Sequence, residues 1–441
     1  MAEARLQVEI IKREIIRPFS PTPPHLKTYK LSLLDQFQVA DYGHIFLIYT
    51  KNDLITSEQQ SQRLKASLSK TLALFYPAAG QLDDNATIEC SDEGAQFIEA
   101  LSDGLLSALL SQPADLKSLH KLLPVVVTSQ EPATWPLLLV QATHFACGGL
   151  AVGVCLSHKF ADATTFGNFI KSWAKYSRGS GETAVLPTFG ASSYFPPIDL
   201  ASPVLQLKMV ECATKRFVFE KEKIVSLKAR AASDEIGGFR DPSRVEAVTA
   251  LIWKCALNAA ASPASLTKKK IVAKQAINLR RMANPPPFPD TLVGNLIGTF
   301  TAETDEIQPD VKHLAAKLRK GLMEYREKKG KRLRGDEACV VFLEGLRESG
   351  ELFARHDISV MFFNSLCSFG LYEGTDFGWG RPAWATIPVV TEHPNMVSLM
   401  DTASGGVEAW VTLSRQDMAV FENDSLLAKF AYNASATKSA L

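Results

Sequence analysis

Two apolar runs of strand length, residues 137–145 and 150–157, are separated only by Ala146-Cys147-Gly148-Gly149, and this pairing restricts the fold more than any other stretch. A short connection with two glycines returns the chain on itself, so the runs read as a β-hairpin. Its second strand delivers Ser157-His158-Lys159-Phe160-Ala161-Asp162. From Asp162 to about Tyr176 the spacing of Phe166, Phe169, Ile170 and Trp173 turns helical. The segment from His158 to Asp162 therefore lies on a strand-to-helix connection, the kind of loop that often carries chemistry.

Helical and strand periods alternate elsewhere. Leu64, Leu68, Leu72 and Phe75 predict a helix that stops before Pro77 and Gly80 and covers a sheet. Residues 178 to 213 are punctuated by Gly179, Gly181, Pro187, Pro196, Pro197 and Pro203, which suits an interdomain crossover. Beyond it come a strand at 216–219, helices near 221–233 and around Val245 to Cys255, and a strand near 271–278. A helix marked by Val311, Leu314, Leu318 and Leu322 follows, then strands at 357–363, 396–401 and 406–413 and a closing helix from about 415. The expected class is α/β with mixed sheets flanked by helices, in two layered halves. The domains are expected at 1–195 and 216–441, joined by a linker at 196–215, with the second carrying the Asp376 segment described below. A length of 441 residues suits two such cores.

Composition removes several functional classes. A net charge of +1 gives no global field to attract nucleic acid or an acidic membrane. Seven scattered cysteines without Cys-x-x-Cys spacing suggest neither a disulfide framework nor a zinc site. Glu3, Arg5, Glu9, Lys12, Arg13, Glu14 and Arg17 interrupt the start of the chain, unlike a signal peptide. No run approaches the roughly 20 apolar residues of a membrane span. A cytoplasmic, monomeric protein is expected, and the sequons at Asn85, Asn423 and Asn433 are chance matches on that reading.

A histidine titrates near neutral pH, so His158 can take a proton from an alcohol and return it to a leaving group. Asp162 could orient the imidazole, bind a metal with it, or hold the loop; the spacing does not choose. A metal site usually needs three protein ligands, and neither His44 nor His144 has a carboxylate companion at ligand spacing, so no metal is expected. Cys155 lies inside an apolar run and reads as core. Asp376-Phe377-Gly378-Trp379-Gly380 shares three letters with a kinase magnesium motif, yet the chain has neither a glycine-rich phosphate loop nor a His-Arg-Asp loop. Two glycines and a packing indole make a structural corner the better reading. Basic clusters at Lys268 to Lys270 and from Arg326 to Arg334 read as solvated faces.

With His158-x-x-x-Asp162 and Asp376 to Gly380 both in place, the chain resembles the plant BAHD acyltransferases from end to end. Leu34-Asp35-Gln36, Phe75-Tyr76-Pro77-Ala78-Ala79-Gly80, Ser243-Arg244-Val245, Asn278-Leu279-Arg280, Gly294-Asn295 and Val407-Glu408-Ala409-Trp410 support the resemblance. Within that family it is most similar to the group of alkaloid, terpenoid and alcohol acetyltransferases.

The resemblance implies two chloramphenicol-acetyltransferase-like domains with a tunnel between them, and His158 in mid-tunnel as general base. It further implies that Asp162 points away from the reaction and pairs with Arg280, and that Asp376, Gly378, Trp379 and Gly380 are structural. CoA contacts are implied near Ser243 and Arg244. Acyl-CoA, acetyl-CoA by group resemblance, is the co-substrate, with no resident cofactor, and the other partner is a small hydroxylated acceptor. Two departures stand out: Ala163 replaces a common glycine, and Asn364-Ser365-Leu366 replaces a common Thr-Ser-Trp. The loss of an indole at Leu366 reshapes the expected acceptor pocket around Asn364 and Leu366. The expected activity is O-acetylation of an alkaloid or terpenoid. The rivals are a longer or aromatic acyl-CoA used on a volatile alcohol, a thioesterase, and a catalytically silent binding protein.

Overall fold

A computed structural model describes residues 6–111, 116–124, 135–179, 184–200, 211–232, 241–262, 269–387 and 393–434. The centre of the expected crossover, including Pro203, and Lys268 of the first basic cluster lie outside these residues. The chain divides into two compact units. One comprises Met1–Leu205, Phe288–Leu296 and Phe369–Pro388, and the other Gln206–Pro287, Ile297–Ser368 and Val389–Leu441.

The first unit is built on a six-stranded sheet in the order Glu9–Ile16, Ala95–Ser102, Leu138–Phe145, Leu150–Ser157, Tyr42–Tyr49, Trp384–Thr386. The sequence hairpin is its centre, antiparallel from Leu138 opposite Leu156 to His144 opposite Leu150. Every residue of both hairpin strands is buried. That explains why the two runs lack the polar alternation of a half-exposed strand. Gly148 closes the turn at φ 88°, a backbone region that disfavours side chains.

Two helices, Ser57–Leu74 and Ala163–Arg178, pack together in this unit. Leu64, Leu68 and Leu72 of the first are fully buried, and Phe169 of the second meets Phe75 with ring centroids 5.4 Å apart. The Trp173 indole N–H donates to Leu64 O and Ser67 Oγ, each at 3.0 Å, so this large side chain is buried without losing its hydrogen bond.

The second unit holds a seven-stranded sheet ordered Ile297–Ala302, Lys270–Asn278, Ile358–Ser365, Met396–Asp401, Val407–Ser414, Cys212–Phe219, Tyr432–Asn433. Lys270–Asn278, Ile358–Ser365 and Met396–Asp401 run parallel and the remaining pairs antiparallel, the mixed pattern expected. The helix Arg244–Ala261 is its buried centre, with Val248, Leu251, Ile252, Trp253 and Cys255 all at 0% exposure. The helix Glu337–Ala354 was not marked by the sequence. It buries only Ala338, Val341 and Leu352 among its side chains, which leaves no clean apolar stripe to read.

The domain boundaries are corrected by these contacts. The segment carrying Asp376 belongs to the first unit, because strand Trp384–Thr386 pairs antiparallel with Tyr42–Tyr49. Residues 288–296 belong there too, through the bridge of Thr188 to Leu292. Neither excursion has a local signature, since each is fixed by a partner segment far away in sequence.

Candidate active site

The central hairpin ends at Ser157, and the chain then turns through His158, Lys159 and Phe160 into the helix beginning at Ala163. His158 is half-buried. Its backbone N–H donates to Asp41 O at 2.8 Å, and its carbonyl accepts from Asn295 Nδ2 at 2.7 Å. Ring atom Nδ1 is buried and has no hydrogen-bond partner among the described residues. The imidazole is thus held through its backbone, and no described carboxylate grips Nδ1.

Asp162 is buried at 4% exposure and caps the helix that follows, Oδ1 accepting from Thr165 N–H at 2.8 Å. Its other oxygen accepts from Leu296 N–H at 3.1 Å. Between the ends of this loop, Lys159 points into the protein and donates to Gln36 O, Gln38 O and Asn85 Oδ1 at 3.1, 2.9 and 2.6 Å. Burial holds its pKa down to about 8, against the pull of nearby Asp35.

Because the folded value lies below the roughly 10.4 of an unfolded lysine, the unfolded chain binds more protons between the two, and this component of stability rises with pH across that window. Lys159→Met removes the component and leaves three acceptors unpaired. In thermal melts the wild type is expected to exceed this variant by a margin that grows from about pH 8 to about pH 10. A margin independent of pH would show that the ammonium keeps an ordinary pKa.

Asp35 is fully buried and saturated. Ser32 N–H and Oγ–H donate to Oδ2 at 2.8 and 2.6 Å, and Asn295 N–H and Nδ2 donate to Oδ1 at 2.8 Å each. Burial pushes its pKa up while these four donors pull it down. In the sequence Asp35 and Asn295 stand out only within segments that carry the family resemblance. No local pattern assigns them to the histidine loop.

The Asp376 segment forms a corner. Asp376 Oδ1 accepts from Gly378 and Gly380 N–H at 2.7 and 3.0 Å, and both glycines take positive φ, 103° and 107°. The Phe377 and Trp379 rings stack with centroids 5.7 Å apart, and Phe377 meets Trp173 edge-on at 5.0 Å. Ser177 and Arg178, at the C-terminal end of the helix that Asp162 caps, donate to the Phe377 and Asp376 carbonyls. Sixteen residues of helix place this corner about 24 Å from the Asp162 end. Asp376→Ala should cost about 1 kcal/mol by removing the shared acceptor of two exposed amides, read in denaturant melts, while the folded protein keeps its kcat. A large kcat loss at unchanged stability would bring the corner into the chemistry.

The remaining candidates lie in the second unit. Ser243 caps the helix Arg244–Ala261 in a capping box with Glu246, which is itself held by Arg319 at 2.6 Å. Arg244 pairs with Asp401 at 2.6 Å and donates to Ser368 Oγ at 3.2 Å. Arg280 is fully buried and donates from Nη1 to Asn278 Oδ1 at 3.3 Å. Asn364 is half-buried on strand Ile358–Ser365, opposite Ser398, and Leu366 is buried with its N–H on Leu399 O at 2.8 Å. Several members of the basic clusters are paired: Lys270 with Asp305, Lys328 with Glu324, Lys329 with Glu348 and Arg332 with Glu344. None of the seven cysteines forms a disulfide, and Cys155 is buried in the strand. Among the described residues no group of three or more His, Cys, Asp or Glu is arranged to hold a metal, and no helix is long and apolar enough to cross a membrane.

Mixed sheets flanked by helices, with a histidine on a strand-to-helix turn, define an α/β transferase of the BAHD fold. A family model described as Transferase family matches residues 6–427, and the chain belongs to that family, the BAHD acyltransferases, whose co-substrate is an acyl-CoA. It is 35% identical to limonoid 1-O-acetyltransferase of Citrus sinensis over 97% of this chain and 98% of the relative. It is 37% identical to vinorine synthase of Rauvolfia serpentina over 94% and 96% of the two chains. The crystal structure of vinorine synthase matches with a TM-score of 0.83, covering 98% of this chain and 100% of the other at 34% identity.

Proposed function

We propose that this chain transfers an acetyl group from acetyl-CoA to a hydroxyl of a plant alkaloid or terpenoid, with His158 as general base. The observation that carries the reading is the placement of His158. A fully buried hairpin delivers it to a turn, its backbone is held on both sides, and ring atom Nδ1 has no hydrogen-bond partner among the described residues. Whole-length similarity to a limonoid acetyltransferase and to vinorine synthase supports the acyl group and acceptor class.

In the proposed step the imidazole takes the acceptor hydroxyl proton as the oxygen attacks the thioester carbonyl. The C–S bond then breaks, the ester forms, and the thiolate leaves as free CoA after taking back the proton. No acyl-enzyme is needed. Ser243 and Arg244 are proposed as CoA contacts, and Asn364 and Leu366 as acceptor-lining residues, on the family resemblance. Asp162 is proposed as support for the catalytic loop.

The test incubates purified protein with acetyl-CoA, a longer-chain and an aromatic acyl-CoA, together with a panel of alkaloids, terpenoids and volatile alcohols. Products are followed by mass spectrometry and by thiol release. An acetyl increment on an alkaloid or terpenoid is expected. Thiol release that needs no acceptor would replace the reading with a thioesterase, and binding without turnover would replace it with a silent binder.

A further inference from the structure

We propose that Asn295 is a positioning residue for His158, anchored by the buried carboxylate of Asp35. The inference rests on the general-base reading of His158.

The amide of Asn295 has two N–H bonds on Nδ2 and faces two oxygens that can only accept, Asp35 Oδ1 at 2.8 Å and His158 O at 2.7 Å. Acceptor chemistry therefore fixes which way the amide points. Its own Oδ1 is buried with no hydrogen-bond partner among the described residues, although Asn295 has 0% exposure. Leaving a buried carbonyl unpaired is unfavourable. The side chain is thus arranged to deliver its donors, at the expense of its own acceptor.

The geometry around it is braced at both neighbours. Gly294 N–H donates to Thr165 Oγ1 at 3.2 Å, and Leu296 N–H donates to Asp162 Oδ2 at 3.1 Å. Residues 294–296 thus lie along the whole turn from His158 to Thr165 as a splint. Asn295 is the tooth that reaches the histidine itself. Since no group among the described residues holds ring atom Nδ1, the position of the imidazole follows from its backbone, and the carbonyl held by Asn295 is one of the two main-chain contacts described there. Charge explains the choice of amide: an aspartate at this position would set its carboxylate against Asp35 and the His158 carbonyl.

The test measures kcat and KM by thiol release from acetyl-CoA with the acceptor found in the panel above, for Asn295→Ala, Asn295→Ser, Asn295→Asp, His158→Ala and Asn295→Ala/His158→Ala. A core variant, Leu72→Ala, supplies comparable destabilisation on a fully buried helix position outside the turn itself. Misplacement of a catalytic group by about an ångström costs on the order of 10²-fold. The expectation is a kcat loss of that order for Asn295→Ala and Asn295→Ser with little change in KM for acetyl-CoA, and a larger one for Asn295→Asp. Leu72→Ala should keep its kcat while folded. The double variant should turn over no more slowly than His158→Ala, because a residue that acts through the imidazole has nothing left to position.

Additive losses in the double variant, or a kcat loss in Leu72→Ala equal to that in Asn295→Ala, would overturn the inference and leave a purely structural asparagine. An unaltered kcat in His158→Ala would instead remove the general-base reading beneath it. Asn295→Ser keeps the test open if the alanine variant does not fold.

Discussion

His158→Ala is expected to lower kcat by about 10²–10⁴-fold, the usual worth of a positioned general base, while the protein stays folded. The fold survives because the substitution deletes only the ring. The two backbone bonds that seat the residue, to Asp41 O and from Asn295 Nδ2, belong to the main chain and persist in alanine. Ring atom Nδ1 has no partner to lose among the described residues. Circular dichroism and thermal melts should therefore resemble those of the wild type, and the loss should appear in thiol release and ester formation together. A folded variant with undiminished turnover would falsify the general-base assignment.

Asp162→Ala should have the largest effect on stability. It removes the N-cap of helix Ala163–Arg178, worth about 1 kcal/mol, and leaves the Leu296 N–H buried without its acceptor, worth about 1–3 kcal/mol more. At roughly 2–4 °C per kcal/mol for a unit of about 200 residues, the midpoint should fall by roughly 5–15 °C. Asp162→Asn keeps one oxygen acceptor and should lie between. Because residues 158–162 form one turn, kcat should fall with the midpoint in both variants. If stability held and only the pH profile moved, Asp162 would be acting on the imidazole through its charge, and the loop-support role would be wrong.

The parts of the molecule written in local sequence were readable. A continuous apolar run, a glycine turn and a change to helical spacing placed His158 at a strand-to-helix junction, and the structure has that hairpin and the helix Ala163–Arg178. The two glycines around Trp379 likewise mark the corner whose amides Asp376 accepts from. The helix Glu337–Ala354 was missed for the converse reason. Its exposed Val340, Leu343 and Phe353 blur the amphipathic period on which such readings depend.

What the sequence determined alone is the chemistry on offer, a histidine capable of proton transfer at a strand-to-helix junction with an aspartate four residues on, because residue type and near-neighbour spacing are local properties. What only the tertiary structure decided is how that histidine is held. Asn295 lies 137 residues from His158 and 260 from Asp35, and the Asp376 corner joins the first unit through a strand paired with Tyr42–Tyr49. Hydrogen bonds across such separations form when packed surfaces bring distant segments together, so they leave no periodicity or spacing in the chain to be read.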